Sequence, residues 1–189
     1  MHHATVLPVA EADYLAGEPS SEIRHEYVAG QVYAMAGDGK AHNTISLNIA
    51  TRLRSHLRGT PCRSYIADMK VKVEWAAAYY YPDVATTCSE RDTASGAPKD
   101  YLTAPALIIE VLSVSTETID RREKMRAYGT LESLREYVLV ASESRQVEIY
   151  RKLAGGGWEQ WILVPGEPVR LDSVNLDLTF DDIYEDVES

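Results

Sequence analysis

Two spacings of apolar residues alternate along this chain. VAEADYLAGEP reads as a short amphipathic helix that Gly17 and Pro19 bring to an end. Between Arg24 and Ala36, HEYVAGQVYAM has apolar-alternating arms around Ala29-Gly30 and predicts a β-hairpin. In AHNTISLNIATRLRSHL the spacing lengthens: Ile45, Ile49, Leu53 and Leu57 fall on one helical stripe, with Leu47 and Ala50 beside them. Gly59 and Pro61 stop that helix. CRSYIADMKVKVEW and YYYPDVATT each predict a strand, and the polar run from Ser89 to Asp100 a loop. APALIIEVLSV is almost continuously apolar and short, which predicts a strand covered on both faces. Thr116 to Tyr128 predicts a helix with Ser115 as its N-cap. LREYVLVAS and RQVEIYRKL predict two more strands joined through Glu143-Ser144, and GGGWEQWILV and FDDIYEDV finish the chain.

That order predicts an α/β (α+β) layer protein, a mixed β-sheet flanked by helices with additional C-terminal strands. With no repeat, low-complexity segment or linker, residues 1–189 are expected to form one domain, a length that suits one core. No apolar run approaches the ~20 residues of a membrane span. MHHATVLPVAEADYL lacks the basic-then-apolar layout of a secretory signal, so a cytoplasmic location is expected. His2 and His3 are given no role. Cys62 and Cys88 lack a C-x-x-C spacing and are expected to be two reduced thiols.

A net charge of −10 argues against generic nucleic-acid binding, but the charge is uneven. Gly166 to Ser189 holds eight acids and one base, leaving −3 for the rest. Lys40 to Lys72 holds seven bases (Lys40, Arg52, Arg54, Arg58, Arg63, Lys70, Lys72) against Asp68, and Arg121 to Arg126 holds four against Glu123. Such segments are either solvated faces or a footprint for phosphates.

Two acids stand where an unpaired carboxylate would be costly. Glu110 lies inside APALIIEVLSV, on the face shared by Ala106, Ile108 and Leu112; Asp83 ends the apolar YYYPD run. Either each is capped or salt-bridged separately, for instance by Arg121 or Lys124, or together they form an oxygen pocket for Mg²⁺ or Mn²⁺. On the following helix Asp120, Lys124 and Tyr128 recur every four residues, which would bring Lys124 over both acids. Alternatively Lys124 is an exposed helix lysine neutralised by Asp120.

These residues resemble a known family. Pro82-Asp83 followed by Ile109-Glu110-Val111-Leu112-Ser113 resembles the PD-(D/E)xK nuclease superfamily, whose fold is restriction-endonuclease-like. HEYVAGQVYAMAG, HNTISLNIATRLRSHLRGTPCRSYIADMKVKV, YYYPDVATTC, YLTAPALIIEVLSVSTETIDRREKMRAY and LESLREYVLV resemble, more closely and over nearly the whole chain, the Uma2 family (domain of unknown function 820). The resemblance implies a divalent metal held by Asp83 and Glu110, with Glu26 completing the shell and the Val111 carbonyl as a further ligand. Leu112 occupies the superfamily's usual lysine position, and Lys124 matches the lysine that Uma2-like sequences supply from the next helix. His42, Asp68, Asp120 and Tyr128 match recurrent polar positions, with helix cap, strand-end hydrogen bond, salt bridge and core tyrosine as their structural alternatives. Gln31 departs from the family's acid after the hairpin glycine, and Ser113-Val114-Ser115-Thr116 from its Ser-Pro-Ser-Thr.

The expected activity is Mg²⁺- or Mn²⁺-dependent endonuclease cleavage of nucleic acid, DNA above all, with Asp83, Glu110 and Lys124 catalytic. Arg52, Arg54, Arg58, Arg63, Arg121, Arg122 and Arg126 are candidates for the phosphate backbone, and a homodimer suits cleavage of a two-stranded substrate. The rival expectation is a catalytically silent module that keeps the nuclease fold, which the net charge favours. No G-x-S-x-G elbow or Cys-His pairing supports a Ser or Cys hydrolase.

Overall fold

A computed structural model describes residues 7–35, 37, 39–113 and 116–187. The first helix, α1 (Glu11–Gly17), runs into a 3-10 turn that includes Pro19, and the expected hairpin follows as β1 (His25–Val28) and β2 (Gln31–Ala34). Ala29 and Gly30 both adopt positive φ, the left-handed pair that a two-residue hairpin turn requires. Helix α2 (Lys40–His56) buries Ile45, Ile49 and Leu53 as the spacing predicts, but Leu47 is turned out to solvent.

The next two segments differ from their sequence reading. CRSYIADMKVKVEW forms two strands, β3 (Arg63–Ile66) and β4 (Lys70–Val73), and YYYPDVATT also forms two, β5 (Ala78–Tyr80) and β6 (Val84–Thr87). The pair β4–β5 enters one sheet and β3–β6 the other, so a single antiparallel ribbon forks. One arm turns at Ala67, which has positive φ, and the other at Tyr81–Asp83; the Ala67 N–H donates to the Asp83 carbonyl across the fork at 3.2 Å. Pro82 fits there because a chain leaving one ladder for another has a residue with no strand partner to serve.

The loop expected from Ser89 contains a one-turn helix, α3 (Glu90–Thr93), capped by the Ser89 hydroxyl. After β7 (Tyr101–Leu102), the apolar strand β8 (Pro105–Leu112) is buried on both faces. Leu107, Ile109 and Val111 face the core under α2, whereas Ile108 and Leu112 face a second core containing Tyr80, Tyr128 and Tyr137. The helix expected from Thr116 to Tyr128 is α4 (Glu117–Ile119), a π-helical turn (Asp120–Lys124) and α5 (Met125–Tyr128) in unbroken succession. The expected cap Ser115 lies outside the described residues.

Strands β9 (Glu136–Ala141), β10 (Val147–Lys152) and β11 (Trp158–Leu163) extend the sheet, giving the order β11-β10-β9-β8-β6-β3 with β8 and β9 parallel. The other sheet runs β2-β1-β5-β4-β7. A small hairpin of β12 (Val169–Leu171) and β13 (Leu176–Leu178) leads to α6 (Phe180–Ile183). Both α6 and the hairpin pack on the α2 core. The architecture is therefore mixed sheets flanked by helices, as the order of elements predicts.

One expectation is overturned. Cys62 and Cys88 are bonded to each other rather than two free thiols. The antiparallel register that sets Arg63 opposite Thr87 brings the two cysteines opposite each other at the next step, a pairing invisible in their sequence separation of 26.

Candidate active site

The fork in the ribbon delivers Asp83 to the side of β8, at the level of Glu110. The Val111 N–H donates to Asp83 Oδ2 at 2.7 Å, and the Asp83 N–H points to Glu110 Oε2 at 3.4 Å. Asp83 keeps its side chain 21% exposed, whereas Glu110 is only 3% exposed, in the core face of its strand. Glu26 joins them from β1, accepting from the Tyr81 N–H at 3.1 Å. Three carboxylates, from β1, the β5–β6 turn and β8, thus converge.

Lys124 enters from the helix, as its four-residue spacing predicts, but it is buried (6% exposed) rather than a surface lysine. Its Nζ lies 3.1 Å from Glu26 Oε1, 3.2 Å from Glu110 Oε1 and 3.2 Å from Asp120 Oδ1. Tyr128 donates to the same Glu110 oxygen at 3.2 Å. The π turn helps this convergence. Four residues of α-helix overshoot a full turn by ~40°, and the wider π turn offsets that drift, so Asp120, Lys124 and Tyr128 all stay over β8. Asp120 Oδ1 is buried and, though close to the ammonium, makes no aligned hydrogen bond.

Electrostatics follow from this crowding. Glu26, Glu110 and Asp120 face one ammonium, and Asp83 lies beside Glu110. Burial pushes the Glu110 carboxyl well above the ordinary range; Lys124 opposes the rise, and Asp120, Asp83 and Glu26 reinforce it. Burial would pull the Lys124 ammonium down, but Glu110, Glu26 and Asp120 outweigh it and hold the group protonated. The two directions are linked, because Glu110 raises the Lys124 ammonium while Lys124 opposes the rise at Glu110.

The remaining candidates divide. His42, in the first turn of α2, places Nε2 3.2 Å from Asp83 Oδ2, the oxygen that also accepts from the Val111 N–H. Asp68 does not join the cluster: it is exposed and pairs with Arg24 at 3.0 Å, though it lines the same cleft. Arg52 is bound to Asp182 and Glu185 of the acidic C-terminal stretch, and Arg121 to Glu117 and Glu148. Arg126 lies over the Trp75 ring, and Arg122 is exposed. Arg54 and Arg58 have no carboxylate partner among the described residues, and Arg63 bonds only to main-chain carbonyls. Gln31 is exposed on β2 beside Tyr33, and Leu112 is core.

Two contributors escape sequence reasoning. Tyr137, fully buried on β9, donates to the Asp120 carbonyl at 3.0 Å and so holds the π turn, while the Tyr80 ring lies 5.9 Å from Lys124 Nζ. Tyr80 belongs to the triple tyrosine before Pro82; Tyr137 has no local signal.

The donor chemistry fits a hard divalent cation. Asp83, Glu110 and Glu26 offer only oxygen, the donor that such a cation takes. Among the described residues no group of three or more His, Cys, Asp or Glu side chains forms a ready-made metal cage. Mg²⁺ does not need one, since it commonly takes one or two carboxylates and keeps its waters.

Comparisons with known proteins agree with this architecture. Residues 11–181 match the family described as "Uma2: Putative restriction endonuclease". The uncharacterized protein slr1290 of Synechocystis sp. is 37% identical over 172 residues, covering 91% of this chain and 89% of that protein. A second Synechocystis protein, the uncharacterized sll1609, is 29% identical over 160 residues, 85% of this chain and 88% of that one. A crystal structure of a "putative nuclease belonging to DUF820" from Anabaena variabilis superposes with a TM-score of 0.77 over 94% of this chain and 98% of that chain. At 18% identity it shares the fold. By the extent of the family match and the identity of its relatives, this chain belongs to the Uma2 family.

Proposed function

We propose that this chain is a divalent-metal-dependent endonuclease that hydrolyses phosphodiester bonds of DNA. The observation that carries the reading is that Glu26 and Glu110 meet on the buried Lys124 while Asp83, beside Glu110, lines an open cleft of about 400 Å³. Asp83 and Glu110, with Glu26 and the Val111 carbonyl, would hold Mg²⁺ or Mn²⁺. That ion would supply Lewis acidity toward a phosphate oxygen.

The chain's own groups have separable tasks. Val111 N–H and His42 both hold Asp83 Oδ2, and Tyr128 fixes Glu110. Lys124 offers the positive charge that the phosphate needs as it becomes more anionic during attack. Water adds to phosphorus while one P–O ester bond breaks, and the departing oxygen takes up a proton. Asp120 and Tyr137 are positioning residues: they hold the π turn that carries Lys124.

A second reading has its own observation. Lys124 already bridges Glu26, Glu110 and Asp120, so the acids could be a salt-bridged scaffold in a silent binding module. Cleavage of plasmid and single-stranded DNA with Mg²⁺ or Mn²⁺, against Asp83→Asn and Lys124→Met, decides between the two. The nuclease reading expects product from the wild type alone and Mn²⁺ binding, read by calorimetry, that Asp83→Asn weakens. No cleavage and no heat of Mn²⁺ binding would leave the scaffold. Light scattering of the wild type checks for the homodimer that duplex cleavage would favour.

A further inference from the structure

The cleft at Asp83 is one end of a longer furrow between α2 and β3. Leu47 and Ile66 line both this cleft and the next depression, of about 430 Å³; Arg54 and Ser64 line that depression and a third, of about 450 Å³. Each alone is the size of a small-molecule pocket. In series they form a track for an extended ligand. The far end is walled by Arg54, Arg58 and Arg63. Those three guanidiniums lack carboxylate partners among the described residues, in a chain of net charge −10 whose Arg24, Arg52, Arg121, Arg151 and Arg170 are all ion-paired. Unneutralised arginines gathered at one end of a track call for an anionic ligand there.

The middle of the furrow has a different chemistry. Leu47 is 57% exposed and Ile66 51% exposed across it, and half-buried Tyr65 and Met69, which pack on the second core, complete its lining. A duplex would bring its charged backbone against these apolar groups, because its bases are stacked inside. A single strand can turn its bases onto the apolar floor and leave its phosphates for the arginines. From His42 to Arg54 along α2 is roughly 18 Å at ~1.5 Å per residue. At ~3.4 Å per nucleotide that is about five nucleotides of stacked strand.

We propose that the α2–β3 furrow binds a single-stranded polynucleotide, with bases on Leu47 and Ile66 and phosphates on Arg54, Arg58 and Arg63. The nuclease would then act on unpaired strands or overhangs, a conclusion that rests on the reading of Asp83 and Glu110 as its cutting end.

Fluorescence anisotropy without divalent metal tests the furrow separately from cleavage. The probes are a labelled 15-mer DNA, its duplex, and the same sequence as RNA. The single-stranded probe is expected to bind at least about tenfold more tightly than the duplex. Leu47→Ser with Ile66→Ser, both at exposed positions, should weaken single-strand binding about tenfold and leave duplex binding unchanged. Arg54→Ala with Arg58→Ala should also flatten the salt dependence for the single strand, by about 0.7 per arginine in the slope of log K against log salt. The RNA arm tells which sugar is preferred. Equal or tighter duplex binding would overturn the proposal while leaving the nuclease reading intact. Failure of every probe to bind, with the Ser variants changing the mass seen by light scattering, would also overturn it and make the furrow a contact between two copies. Single-strand binding without Mg²⁺- or Mn²⁺-dependent cleavage would uphold the furrow and remove the nuclease.

Discussion

Glu110 and Glu136 are both buried glutamates on neighbouring parallel strands, yet their surroundings are opposite. Each Glu136 oxygen is served by donors: Arg151 Nε at 2.9 Å and Asp172 N at 3.1 Å on one, Ser173 N at 2.7 Å and the Ser173 hydroxyl on the other. Arg151 goes on to bond the Arg170 carbonyl, so the acid ties β9, β10 and the small C-terminal hairpin together. Glu110 has longer contacts, from Lys124, Tyr128 and the Asp83 N–H, and sits among three other acids. One carboxylate is satisfied by construction. The other is held in a cluster that its neighbours make unfavourable, which is the condition in which a bound cation or substrate has most to offer.

The largest effect should come from removing the one charge that holds the Glu110 cluster together. Lys124→Met leaves Glu26, Glu110 and Asp120 facing one another without their ammonium, a loss of about 3–5 kcal/mol for a broken buried ion pair. Thermal denaturation should show a fall of roughly 10 °C, at ~2–4 °C per kcal/mol for a chain of this size; a change below 2 °C would mean the acids are not mutually strained. Next in size is Glu136→Gln. It should cost about 2–3 kcal/mol, because Arg151 loses its buried partner and an amide cannot accept at both positions. Cleavage per folded molecule should remain at the wild-type level, and a specific loss of activity would tie Glu136 to the site after all.

The sequence makes the first centre readable and hides the second for a physical reason. Glu110 interrupts a strand with no other polar residue, so its burial follows from the strand's own composition. Glu136 opens its strand next to Arg135 and Glu148 sits in one that begins by alternating, so each acid reads as solvent-facing; what covers them are Arg151, Ser173 and Arg121 from distant segments. The same limit separates the basic segments. Lys40–Lys72 and Arg121–Arg126 look alike in charge, but Arg121 and Lys124 are occupied by acids while Arg54, Arg58 and Arg63 line an open furrow. Helix α2, the β1–β2 hairpin and β8 were legible because their patterns are local. The fork at Ala67 and Asp83, the Cys62–Cys88 pair and the π turn depend on register between segments far apart in the chain.

The smallest predicted effect is the sharpest test of the contrast, because its sign is opposite to that of Glu136→Gln. Burial raises the Glu110 carboxyl above its usual value of 4.5. A raised carboxyl favours folding below the unfolded value, and that contribution is lost as pH climbs through the folded value. Above the unfolded value the folded protein therefore carries the cost of a carboxyl buried among other acids. Glu110→Gln removes that cost and keeps an oxygen for Tyr128 and Lys124, so it should abolish cleavage while stabilising the fold by about 1 kcal/mol, or roughly 2–4 °C. Measured in chelator, the gain should grow as pH rises above 4.5 and vanish below it, where the folded and unfolded wild type both hold the proton. A destabilised Glu110→Gln with no such pH trend would make Glu110 a structural acid of the Glu136 kind, and the two centres would cease to differ.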